Sequence, residues 1–192
     1  MLQLRWYGML NGKREKKSAR IALCGLFAAL SLCTMLMGSI LPASTFSAPA
    51  FAGIFLVAVA VEYGMKTGFL LYAAVGVLSL LLIPDKEMAL VFICFLGFYP
   101  LVKAYLEKIH FLPVRVAAKL ILFNGCILSM YALILLVFPL PAVQEEFASM
   151  GIVSLGILLG AGNITFFLYD LAVARMVALY CAKLRPRLLR ML

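Results

Sequence analysis

Six apolar runs divide the chain, each separated from the next by a short polar or proline-bearing stretch. The first covers about Arg20 to Leu41, the second about Pro49 to Tyr63 and the third about Thr67 to Ile83. The fourth covers about Met88 to Leu106 and the fifth about Val116 to Phe138. The sixth starts near Gly151 and continues to about Leu184, where Pro186 stops it. Such runs predict helices of membrane-spanning length, for which roughly 20 apolar residues are needed. The second run is short by that measure, so part of the stretch Pro42–Pro49 before it is expected at membrane depth, packed on protein. Pro100 removes a backbone donor inside the fourth run and predicts a kink there.

Charge turns this string of helices into a topology. Six spans with both termini inside place Arg5, Lys13, Arg14, Lys16, Lys17 and Arg20 in the inner tail and Lys66 in the next inner turn. Lys103, Lys108, Arg115 and Lys119 surround the fourth connection, which is also inner, and Arg175, Lys183, Arg185, Arg187 and Arg190 lie at the inner C-terminal end. Of the 17 Lys and Arg residues only Lys86 falls outside. Cytoplasmic segments retain Lys and Arg, so the expected fold is an all-α integral membrane protein, a six-helix bundle of the cell membrane with both termini cytoplasmic. Its expected parts are a basic tail over residues 1–19, a membrane domain over 20–184 and a basic tail over 185–192.

Composition agrees with this class. Hydrophobic residues make up 66% of the chain, against about half in soluble domains. The net charge of +9 sits at the ends of apolar spans, which points to anionic lipid headgroups and not to nucleic acid. A basic tail, an apolar run and Ala48-x-Ala50 formally fit a signal peptide. The run exceeds the usual roughly 7–15 residues, however, and five more spans follow, so it reads as a retained helix.

Chemistry is harder to place. The stretch Gly64-Met-Lys-Thr67 lacks the first glycine and the adjacent Gly-Lys of a phosphate-binding loop. His110 is the single histidine and falls in an inner loop, so neither a multi-His metal site nor a His-paired nucleophile is expected. Glu145 and Glu146 lack further ligands on neighbouring spans. Cys24, Cys33, Cys94, Cys126 and Cys181 form no Cys-x-x-Cys pair and read as small buried hydrophobes. Neither catalysis nor a cofactor or metal is expected.

Three patterns carry more. In the sixth run Gly156, Gly160, Asn163, Phe167, Asp170 and Ala174 recur at spacings of 4, 3, 4, 3 and 4, which puts them on one helix face. That face suits helix packing, and it carries a carboxylate, which within a span needs a partner. Lys103, four residues after Tyr99 in the fourth run, reaches a similar depth and is the expected partner of Asp170; a Lys103 solvated at the headgroups is the alternative. Second, Ser44, Thr45, Phe46 and Ser47 in the first outer loop, with Phe92, Tyr131 and Asn163, are candidates to hold a small uncharged or zwitterionic ligand at the outer end; ordinary loop and interface residues are the plainer reading. Third, Ala22, Gly25, Ala29 and Cys33 form a small-residue stripe along the first run, suited to close contact within the bundle or with a partner.

With these features the chain resembles the substrate-binding S subunits of energy-coupling factor transporters. The likeness is one of pattern over the whole chain: six helices, a basic tail, the small-residue first helix Ala22-Leu-Cys-Gly-Leu-Phe-Ala-Ala29 and a proline-containing first outer loop. The resemblance implies capture of a small water-soluble, vitamin-like solute near the outer face, under the first loop. It also implies docking of the Ala22, Gly25, Ala29 stripe on a transmembrane coupling subunit, with energy from separate ABC-type ATPases. No residue signature of a particular vitamin-specific member is present. A second class fits the size and helix number: a non-transporting membrane scaffold resembling MreD, the small membrane subunit of the rod-shape machinery.

Overall fold

The computed structural model describes residues 17–41, 44–136 and 152–184. The basic residues before Lys17, the acidic 144–149 loop and the tail from Arg185, with Pro186, lie outside the described residues. Those described form helices joined by short turns, with no strand among them. The helices are α1 (Lys17–Gly38), α2 (Ser47–Tyr63), α3 (Met65–Leu82), α4 (Lys86–Val91), α5 (Tyr99–Leu106), α6 (Leu112–Leu136) and α7 (Ile152–Leu179). A π-helical turn, Phe92–Leu96, joins α4 towards α5, and a second, Tyr180–Leu184, extends α7.

Five of the resulting segments are long and apolar enough to cross a membrane: Arg20–Gly38, Met65–Leu82, Lys86–Leu106, Leu112–Leu133 and Leu159–Ala182. Their outward faces carry large apolar side chains, among them Leu26, Leu70, Leu81, Ile121, Leu128 and Leu168, all exposed. A soluble surface rarely presents such a continuous apolar belt. The fold is thus that of an all-helical, multi-pass membrane bundle.

The sixth apolar helix, α2, is shorter at 17 residues and occupies a different place. Val57, Ala58, Val59, Ala60 and Val61 are buried in succession, so this stretch of α2 is covered on every side, while Phe51 nearer its start is exposed. A helix apolar all round belongs in such a position. Because it is enclosed, its about 25 Å length at 1.5 Å per residue need not match a hydrocarbon layer of about 30 Å. Ala48, Ala52, Gly53, Ala58 and Ala60 let the surrounding helices come close. Gly64, at φ 89°, turns the chain directly from α2 into α3, in a backbone conformation that side-chain-bearing residues rarely adopt.

Element boundaries differ from those the apolar runs predict. α1 starts at Lys17 and stops at Gly38, where Ile40 and Leu41 turn back to Met37 O and Gly38 O at 3.3 and 3.1 Å. Ser47 and Ala48 belong to α2, and Ala48 is buried, so the segment before the predicted start is part of the helix. α6 starts at Leu112 and not at Val116, with Pro113 in its first turn, where the missing N–H disturbs nothing.

The fourth span departs most. Its irregularity comes before Pro100, in the π turn, where Gly97 N donates to Phe92 O at 2.8 Å, one carbonyl further back than in an α-helix. Ile93 O accepts instead from the Tyr72 hydroxyl at 2.5 Å. Pro100 has no N–H for Leu96 O, and that carbonyl accepts from the Tyr169 hydroxyl at 3.0 Å. Two tyrosines from neighbouring helices thus replace the backbone bonds that the break disturbs, as apolar surroundings require. A Cβ on Gly97 would lie 2.8 Å from the Phe92 ring, and one on Gly53 would lie 2.3 Å from Leu96 O, so the turn is packed against α2 backbone to backbone.

Candidate functional site

The polar centre of the bundle is built on the helix that follows this break. Tyr99, Lys103 and Glu107 stand at i, i+4 and i+8 along α5 and its C-cap. Tyr99 is fully buried and Lys103 is 3% exposed, so neither has water to satisfy it. The partner of both is Asp170 on α7. Tyr99 donates to Asp170 Oδ1 at 2.5 Å, and Lys103 Nζ donates to Asp170 O at 2.7 Å and also contacts Oδ1.

A third donor comes from α6. Lys119 Nζ donates to Asp170 Oδ2 at 2.7 Å, so the carboxylate receives hydrogen bonds on both oxygens. Glu107 completes the group, 3.3 Å from Lys103 Nζ and 3.9 Å from Lys119 Nζ. Two ammonium groups and two carboxylates balance. The set joins three helices that share few other polar contacts, and each charge keeps the others from being buried alone. Such an arrangement fixes helices relative to one another.

One side of this cluster borders a cleft of about 360 Å³ between α6 and α7. Arg115, Val116 and Lys119 line it from α6, and Phe167, Leu171 and Ala174 from α7. Phe167 and Leu171 are exposed on its wall. The aromatic core member of α7 is Phe166, stacked 4.8 Å from Phe123, and Phe167 beside it turns outward.

One to two turns further along the same two helices, Asn124 and Asn163 pair. Asn124 Nδ2 donates to Asn163 Oδ1 at 3.2 Å, and Asn163 Nδ2 donates to Leu159 O at 2.7 Å. Beyond this pair the glycine face of α7 is open: a Cβ on Gly156 or Gly160 meets nothing within 4 Å among the described residues. Among the described residues, the close helix approach that this face predicts is not made there.

The candidate ligand residues fall into separate places. Ser44 lies 2.6 Å from Gly38 O and 2.7 Å from Leu41 O, which holds the α1–α2 connection in a tight bend. Thr45 donates to Asp85 Oδ2 at 3.4 Å, and Asp85 also caps α4 by accepting from Met88 N at 3.1 Å. Phe46 is exposed, and Ser47 opens α2. Phe92 is fully buried in the cluster that contains Met35, Ala48 and Met88. Tyr131 packs on a different cluster, around Phe95, Phe123 and Phe166, and Asn163 is engaged with Asn124. Phe92 therefore lies beneath the 44–47 segment, whereas Tyr131 and Asn163 lie on the α6–α7 side.

Lys86, the exception to the charge pattern, donates to Leu80 O at 2.7 Å and Ile83 O at 2.9 Å, and so caps the carbonyls that end α3. Ala22, Gly25, Ala29 and Cys33 all face outward, and a Cβ on Gly25 meets nothing within 4 Å. Among the described residues no three His, Cys, Asp or Glu side chains gather as metal ligands. No protein family, curated protein or solved structure matches the chain.

Proposed function

We propose that the chain is a membrane-embedded subunit that captures a small water-soluble solute and depends on separate coupling and ATPase subunits for energy. In this reading both termini are cytoplasmic and the 44–47 segment faces outward. The observation that carries the reading is the unequal fastening of the two ends. The basic end is tied by a four-charge cluster across α5, α6 and α7. At the opposite end, the short connection with Ser44 and Thr45 folds over the start of α4, and Thr45 reaches Asp85 at 3.4 Å. A rigid inner base under a short polar cover suits capture at the outer face. The outward small-residue face of α1 supports it too, since it leaves Ala22, Gly25 and Ala29 free for a coupling subunit.

The test is a thermal-shift screen of vitamins and related zwitterionic solutes on the purified protein. At least one solute should raise the unfolding temperature, and Thr45→Ala should weaken that effect. Gly25→Leu with Ala29→Leu should leave the solute response intact and weaken assembly with a coupling subunit.

A second reading, a non-transporting scaffold of the MreD type, is favoured by the engagement of two candidate ligand residues. Phe92 is fully buried and Asn163 is bonded to Asn124, so neither presents a free group to a ligand. The absence of any stabilising solute, together with specific association with cell-wall or division proteins, would favour the scaffold.

A further inference from the structure

The cleft between α6 and α7 has two chemically distinct halves. Lys103, Glu107, Arg115, Lys119 and Asp170 provide its polar half, and Leu112, Val116, Phe167, Leu171 and Ala174 its apolar half. The polar half has a surplus of positive charge. Lys103 and Lys119 are balanced by Asp170 and Glu107, but among the described residues no carboxylate lies within ion-pair distance of Arg115. Lys119 donates one hydrogen bond, to Asp170, and so retains donors that can turn towards the cleft. Arg115 is partly buried in the first turn of α6, where backbone N–H groups add to the positive potential.

We propose that this cleft binds the headgroup phosphate of an anionic phospholipid, held by Arg115 and Lys119, with the first part of an acyl chain lying against Val116, Phe167 and Leu171. Charge selects the occupant: the polar half calls for an anion, and a planar guanidinium matches a phosphate through two parallel hydrogen bonds. The wall selects a lipid over a soluble anion, because exposed Phe167 and Leu171 continue the polar half with apolar surface. Phospholipid held in this way would brace α6 against α7, beside the charge cluster.

The experiment measures binding and unfolding temperature for the full chain in neutral-detergent micelles doped with phosphatidylglycerol, phosphatidylcholine or inorganic phosphate. Phosphatidylglycerol should bind and raise the unfolding temperature, and the other two should not. Arg115→Gln removes a group that bonds to no described residue, so the fold should persist while affinity for phosphatidylglycerol falls by roughly ten- to hundredfold. Arg115→Lys should restore part of that loss. Leu171→Glu puts a carboxylate in the cleft to pair with Arg115 and should weaken the lipid in the same way. Equal responses to phosphatidylglycerol and phosphatidylcholine, a response to inorganic phosphate as large as that to the lipid, or unchanged binding by Arg115→Gln and Leu171→Glu would each overturn the proposal.

Discussion

Asp170 is the hub of the polar centre, and the consequences of removing it differ from those of removing any one of its partners. Asp170→Ala leaves Lys103 and Lys119 with Glu107 alone, at 3.3 and 3.9 Å, and leaves the buried Tyr99 hydroxyl without its acceptor. Breaking a buried ion pair by deleting one member typically costs about 3–5 kcal/mol. The loss in thermal stability in detergent should therefore be large for Asp170→Ala and smaller for Lys103→Met, which leaves Asp170 its bond from Lys119. The double variant should recover part of the summed loss, and fully additive losses would contradict direct coupling. The Lys103–Asp170 contact is legible in the sequence, because the spacing of Tyr99 and Lys103 sets a face and the apolar runs set a depth. Lys119 and Glu107 are not, since Lys119 counts only as one more basic residue around an inner connection and no spacing ties Glu107 to Asp170. The signal for Lys119 is its position inside an apolar run, where an ionisable residue calls for a partner.

At the scale of elements, the apolar runs give the order of the long helical segments, but not the enclosed position of α2 or the break in the fourth span. A five-residue π turn inside the run Phe92–Leu96 leaves no mark on a pattern in which every position is apolar. Pro100 points to a break, and the structure places it one turn earlier, where Tyr72 and Tyr169 take over the disturbed carbonyls. Tyr169→Phe should lower stability by about 1–3 kcal/mol, because it leaves Leu96 O without its donor in apolar surroundings. Gly53→Ala should cost at least as much, since its Cβ would meet that same carbonyl at 2.3 Å, whereas Gly25→Ala, with nothing within 4 Å, should be close to neutral. Chemical denaturation monitored in detergent distinguishes these three variants. An equal loss from Gly53→Ala and Gly25→Ala would mean that the contact between α2 and the π turn is not made in the protein.

At the scale of the whole molecule, charge and packing describe the same polarity. Arg20, Lys66, Lys103, Lys108, Arg115 and Lys119 belong to one end of the bundle, and there the buried cluster ties α5, α6 and α7. Lys86, at the other end, is used to cap α3, so it needs no aqueous anion or lipid partner to account for it. With that exception accounted for, retention of Lys and Arg on the cytoplasmic side predicts where both termini lie. A reporter fused after Leu192 should be cytoplasmic, and one inserted within residues 144–149 should lie on the opposite side. The pair of fusions is needed because either signal alone is compatible with a bundle of odd span number. Opposite signals require a crossing between the 144–149 loop and the C-terminus, which the 24-residue apolar segment Leu159–Ala182 is long enough to make. Same-side signals would mean that α7 lies along the membrane or is held within the protein, and would remove the six-span topology along with the outward placement of Ser44 and Thr45.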